Sequence, residues 1–136
     1  MKISRTLVLI VTALLPLAGC EKATGRKAVS GTVTFKGSPL DTGSIAFLSN
    51  TDGMQIGGAM IKDGKFQMPA EQGLEPGTYK VTISSPKGVG ERTPEQIEVG
   101  ASAPGKEQIP AEYNTKTKLT IEVTSGGPNV FPFAID

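Results

Sequence analysis

The chain of 136 residues contains no histidine, no tryptophan and a single cysteine, with two tyrosines and five phenylalanines. The missing histidines remove the commonest general base and the commonest metal ligand, so His-based triads, zinc hydrolase sites and copper-zinc centres are excluded. One cysteine cannot close a disulfide within the chain, so stability does not draw on cross-links. The scarcity of aromatics, with no Trp, leaves little from which to build a carbohydrate-stacking platform. Charge of one sign is missing too: 14 Lys+Arg stand against 13 Asp+Glu, which leaves no electrostatic footprint for nucleic acid. Glycine and proline are what the chain has in plenty. Gly 17 and Pro 10 make roughly a fifth of it, against about 12% in average usage. Neither the collagen period nor the high net charge of disordered chains accompanies them. That balance suits one turn-rich all-β domain, and the length allows no second.

The first twenty residues differ from the rest. Lys2 and Arg5 form a short positive segment, and Thr6 to Leu15 (TLVLIVTALL) form an apolar run. The run is too short to cross a hydrocarbon core of about 30 Å as a helix, so it reads as a cleaved secretory signal, residues 1–19. Leu17-Ala18-Gly19-Cys20 follows, and it matches the lipobox of bacterial lipoprotein signals. The match implies that Cys20, the chain's one cysteine, is lipidated and becomes the first residue of the processed protein. Two or three acyl chains at about 0.8 kcal/mol per buried CH₂ hold a protein firmly in a membrane. The alternative, in which the small residues end an ordinary signal, would leave an unpaired thiol in an exported protein. Glu21 is not the Asp that retains lipoproteins in the inner membrane of many double-membrane bacteria, so the expected location is the cell envelope, outer membrane favoured. Residues 20–27 carry the lipid and a polar tether that extends to at most about 25 Å.

The folded domain is expected over 28–136. Val29, Gly31, Val33 and Phe35 alternate with Ser30, Thr32 and Thr34 in a first strand, and Lys36-Gly37-Ser38-Pro39 turns the chain. A second strand runs from about Ser44 to Leu48, and Asn50-Thr51-Asp52-Gly53 closes it with turn residues. A Gly-interrupted third spans Ile56 to Ile61. Asp63-Gly64 between it and Lys65 to Met68 is the strongest hairpin signal in the chain. Pro76-Gly77 begins the segment in which Tyr79, Val81 and Ile83 alternate with Lys80 and Thr82, the pattern of a central strand buried on one face. Ser85 to Thr93 reads as a loop, Pro94 to Val99 as a short strand and Gly100 to Gly105 as flexible. Lys118 to Thr124 and Val130 to Ile135 complete the set, with Phe131, Phe133 and Ile135 on one face. Seven or eight short strands without a helical period indicate a two-sheet β-sandwich.

Val29-Ser30-Gly31-Thr32-Val33-Thr34, Gly37-Ser38-Pro39-Leu40 and Gly43-Ser44-Ile45-Ala46-Phe47 resemble the opening of carboxypeptidase regulatory-like, or transthyretin-like, β-sandwich domains. Gly64-Lys65-Phe66, Leu74-Glu75-Pro76-Gly77-Thr78-Tyr79-Lys80-Val81 and Ile109-Pro110-Ala111-Glu112-Tyr113-Asn114 are similar to small bacterial lipoproteins built from one such domain. The resemblance covers nearly all of the chain after Cys20. It implies a Greek-key, prealbumin-like sandwich of seven to eight strands and carries over no catalytic residue. Transthyretin-like hydrolases of 5-hydroxyisourate depend on histidines, so that activity is excluded. An internal Lys–Asn isopeptide, as in pilin-type and adhesin-type relatives, would have to use Lys36 and Asn129, and Lys36 lies beyond the inward positions of the first strand.

The remaining candidates are few. Asp41, Asp52 and Asp63 sit in Gly-containing turns without D-x-D-x-D spacing, so they read as turn-stabilising side chains, and no metal or cofactor is expected. No G-x-S-x-G motif is present, so no enzyme is expected. Lys87, Arg92 and Lys106 read as solvated charges, with a docking surface as the alternative. Tyr79 reads as a core or corner residue whose hydroxyl needs a partner. Tyr113, in the polar segment Glu112 to Thr117, is the possible ligand contact. The sequence thus leads to a membrane-anchored, non-enzymatic envelope protein acting as a structural or protein-interaction module. A binding module for envelope glycan or another extracellular ligand is the alternative.

Overall fold

The structure, a computed structural model, describes residues 25–88, Pro94 and residues 105–136. Among the described residues, ten strands carry the fold. They are β1 (Val29–Phe35), β2 (Ser38–Pro39), β3 (Thr42–Ser49), β4 (Gln55–Lys62), β5 (Lys65–Met68), β6 (Gly77–Ser84), β7 (Pro86–Lys87), β8 (Lys106–Glu107), β9 (Thr120–Val123) and β10 (Asn129–Ile135). Two 3-10 turns, Ala70–Gln72 and Ala111–Tyr113, are the only helical elements among the described residues outside Pro94. The all-β expectation holds, and β1 and β5 have the expected bounds. The strand expected over Pro94 to Val99 lies, beyond Pro94 itself, outside the described residues, as do Leu17, Ala18, Gly19, Cys20 and Arg92.

Two-residue turns make the hairpins. Lys36 and Gly37 have φ of 51° and 78°, and Asp63 and Gly64 have φ of 50° and 71°. Positive φ at both positions is the type I′ pattern, whose twist matches that of the flanking strands. The first turn returns the chain along β1 as β2, Phe35 opposite Ser38. The second joins β4 to β5, yet those strands pair only at Lys62 and Lys65 before they diverge.

The main sheet runs β10-β1-β5-β4-β3-β6-β9, with β2 beside β1. All neighbours are antiparallel except β1 and β10, which run parallel in register from Val29 opposite Asn129 to Phe35 opposite Ile135. A Cβ on Gly31 would come within 1.9 Å of the Phe131 carbonyl oxygen, so this close pairing depends on glycine. Pro132 lies on β10, at an edge of the sheet where its missing N–H interrupts no ladder.

Laid flat, the seven strands of this path would hold β9 and β10 about 29 Å apart at about 4.8 Å per step. The Thr124–Pro128 linker between them reaches about 20 Å at most. The sheet is therefore curled, and the single-pair contact of β4 with β5 is the corner at which it folds over. Val29, Val33, Phe66, Met68, Phe133 and Ile135 face inward from one limb, and Ile45, Phe47, Ile61, Val81, Ile83, Ile121 and Val123 from the other. The rings of Phe47 and Phe66 meet across the fold, centroids 6.2 Å apart, and Phe66 meets Phe133 at the same distance. Leu40, Leu74 and Ile109 fill the ends of this core from loops. Burying a side chain of that size contributes about 1.5–3 kcal/mol.

Candidate functional site

The ends of the curled sheet hold its polar chemistry. At one end β6 runs out at Ser84, and Ser85 stays in phase with the inward row Tyr79, Val81, Ile83, so it is buried. Its hydroxyl donates to the Thr42 carbonyl and accepts from Gln108 Nε2 at 2.6 Å. Its N–H donates to Glu107 Oε1 at 2.9 Å. Glu107 also accepts from the Ser84 hydroxyl, from Ile109 N at 2.9 Å and from Asn114 Nδ2 at 3.2 Å. Partial burial acts to raise the Glu107 pKa, but the hydrogen bonds from Ser84 and from the backbone at Ile109, Ser85 and Gln108 outweigh it and hold the carboxyl below its ordinary range. One carboxylate thus fastens β8 and the 3-10 turn after it to the end of β6.

The opposite end holds the point where the N-terminal tether enters the domain. Lys27 N donates to the Leu74 carbonyl at 2.7 Å and Leu74 N to the Lys27 carbonyl at 3.1 Å, which pins the chain there. A shallow cavity of about 400 Å³ opens beside it, lined by Arg26, Ser49, Thr51, Ile56, Glu75 and Tyr79 among others. Tyr79 donates its hydroxyl to the Glu75 carbonyl at 2.9 Å, the partner its half-buried position requires. Burial, with the Glu75 charge, pushes its pKa up against a smaller lowering by Arg26. Asp52 Oδ1 accepts from Met54 N at 3.1 Å, the turn role expected of it, and its carboxyl is held below the usual range by its hydrogen bond with Ser49 and then by that of Met54. Nearby, Asn129 closes the linker from β9. Its Oδ1 accepts from Thr124 N at 2.9 Å and its Nδ2 donates to the Thr124 carbonyl at 3.1 Å, so one side chain supplies both halves of a strand-like bridge.

Tyr113, the candidate ligand contact, is half-buried in its 3-10 turn and packs against the core. Asp41 pairs with Lys87 at 3.5 Å, both exposed. No group of three or more His, Cys, Asp or Glu side chains suited to a metal ion occurs among the described residues. Lys36 and Asn129 lie at opposite ends of the parallel β1–β10 pair, about 20 Å apart at the rise of a strand, so no isopeptide can join them. Along the outer face of β6, Lys80, Lys116, Lys118, Thr82, Thr115 and Asn114 line a groove of about 510 Å³ with no acidic residue in its wall. Lys116 N to the Ala111 carbonyl, Thr117 N to the Asn114 carbonyl and the Thr117 hydroxyl to the Val81 carbonyl hold this loop in place.

Sequence reasoning did not single out Glu107, Ser85 or Asn129 as organising residues. For Ser85 and Asn129 a signal was present, since each is polar at an inward position of an apolar row. Glu107 carried none. No protein-family model matches the chain, no curated protein matches it, and no solved structure matches it.

Proposed function

We propose that the protein is a lipid-anchored, non-enzymatic component of a bacterial cell envelope, held by acyl chains on Cys20 and acting as a structural or protein-interaction module. The observation that carries this reading is Leu17-Ala18-Gly19-Cys20 after a ten-residue apolar run, with the chain's one cysteine at the position the lipobox requires. The strand order, the facing limbs and the fold-over at β4 and β5 support a two-sheet, Greek-key sandwich of the transthyretin-like kind for the domain it displays. The side chains at both ends of the core are engaged in holding loops, which suits display of surface rather than turnover of a substrate. Replacing Cys20→Ser tests the anchor: the protein should move from the detergent-extracted membrane fraction to the soluble one, and native Cys20 should carry acyl mass. Membrane retention of the variant together with an unacylated native Cys20 would refute it. Crosslinking in whole envelopes with the lipidated protein identifies the partner.

A second reading, binding of an envelope glycan, is favoured by the groove of Lys80, Lys116 and Lys118, whose chemistry suits an acidic rather than a neutral polymer. Retention on polygalacturonate but not on dextran, lost on replacing the three lysines with Ala, would support it. Equal behaviour of the two columns would remove it.

A further inference from the structure

Four large apolar side chains are exposed among the described residues: Met54 (63%), Ile56 (50%), Met60 (74%) and Val130 (58%). Met60 and Val130 lie singly along β4 and β10. Met54 and Ile56 are neighbours, and they sit at the end of the domain where the Lys27–Leu74 bridge fixes the tether, Ile56 sharing a cavity wall with Arg26. The turn that presents Met54 is tightly made. Ser49 N donates to the Met54 carbonyl at 2.8 Å, Gly53 N to the Ser49 carbonyl at 3.0 Å, Thr51 N to Ser49 Oγ at 3.2 Å and Met54 N to Asp52 Oδ1 at 3.1 Å. Met54 is thus held out on a closed turn, where a polar residue would serve the turn equally well. The turns at the other end, Lys36-Gly37 and Asp63-Gly64, carry charge and no exposed large apolar side chain.

The chain outside the described residues says what lies opposite this end. From Lys27 back to Cys20 the tether extends to at most about 25 Å, and the headgroup layer takes up about 5–7 Å of that. On the reading of Cys20 as lipidated, on which this inference rests, the turn is never far from the membrane and meets it at high effective concentration. We propose that the end of the domain bearing Met54 and Ile56 rests on the bilayer that holds Cys20, with these two side chains in the headgroup layer. Arg26 and Glu75 share the cavity wall with Ile56, and the groove of Lys80, Lys116 and Lys118 reaches the same turn at Gly53. The contact proposed for Met54 and Ile56 is nevertheless apolar and needs no anionic lipid. It gives the domain a fixed stance, with the Glu107 end and the Asp63-Gly64 turn directed away from the membrane.

The test uses the full lipidated protein in phosphatidylcholine–phosphatidylethanolamine vesicles. Acylation blocks Cys20, so a cysteine introduced as Asn50→Cys, in the presenting turn, or as Lys36→Cys, at the far end, is the one free thiol for a fluorophore. Lipids spin-labelled at the headgroup should quench the label at 50 severalfold more than the label at 36, equally at ~0.1 and ~1 M salt, across which the screening length falls from about 10 to 3 Å. Met54→Ser with Ile56→Ser should bring the label at 50 down to the level at 36. With acyl mass present on Cys20, equal quenching at the two sites, quenching that falls with salt, or no response to the double substitution overturns the docking while the anchor stands. Absence of acyl mass on Cys20 removes the anchor reading, and the docking with it.

Discussion

Ser85 and Asn129 occupy equivalent places at opposite ends of the core. Each is a polar residue that keeps phase with an apolar row, Tyr79-Val81-Ile83 in one case and Phe131-Phe133-Ile135 in the other, and each is buried. The two ends are nevertheless fastened differently. Asn129 makes its joint with neutral groups, one acceptor and one donor against Thr124. Around Ser85 the joint is drawn together by a carboxylate, Glu107, which is itself exposed. Burial decides the choice: a charge inside the core costs several kcal/mol unless paired, whereas an amide needs only its hydrogen bonds. The Asn129 joint is thereby indifferent to pH and the Glu107 joint is not.

The strongest way to break this comparison is Asn129→Leu. It leaves the Thr124 N–H and carbonyl without partners and should cost about 2–3 kcal/mol in denaturant unfolding. Asn129→Asp sharpens it, because a carboxylate keeps the acceptor but turns the donor to the Thr124 carbonyl into a repulsion, and stability should recover as the pH is lowered. Glu107→Gln at the other end should cost less, about 1 kcal/mol at neutral pH, since solvent screens an exposed charge. Its sharper effect is on pH dependence. A carboxyl whose pKa is lowered on folding adds stability that is present above its unfolded value and lost as the pH falls through the folded one. The native domain should weaken on acidification below the ordinary glutamate range of about 4.3, and Glu107→Gln should flatten that limb in a series of melts, leaving the share from Asp52. Tyr79→Phe is the mildest, about 0.5 kcal/mol, because the Glu75 carbonyl it releases can turn to water. The phenol's pKa is raised on folding, so its share is present below about 10 and is lost as the pH climbs through the folded value; the substitution should remove that alkaline loss.

Strands with a full alternating row were legible in the sequence, and so was the Asp63-Gly64 turn, because period and turn chemistry are local properties. β2, β7 and β8 were not, since a two-residue strand has no period to read. Nor was the parallel pairing of β1 with β10, which joins residues at opposite ends of the domain and leaves only the close approach at Gly31 as its mark. Ser85 and Asn129 were legible in principle: a polar side chain in phase with buried neighbours must find partners inside. Glu107 was not, because it is an ordinary surface Glu until the fold brings Ser84, Ser85, Ile109 and Asn114 around it. Tyr79 and Asp52 show the middle case, where the chemistry of the residue foretold the kind of bond but not its partner. Met54 falls between the expected turn Asn50 to Gly53 and the strand that Ile56 opens, and only the curled sheet sets the two side chains beside the tether.

The parallel pair has a consequence in time as well as in space. Every contact of β1 with β10 spans 100 positions of the chain, and the limb that also contains β5 lacks an edge until Ile135 has been made. Contacts of such separation slow folding, because loop closure must precede the gain. A chain emerging end-first therefore cannot complete its domain until its final strand is out. On the proposed reading of an exported protein, which has to pass through a narrow channel before it takes shape, the late arrival of β10 would act as a built-in delay.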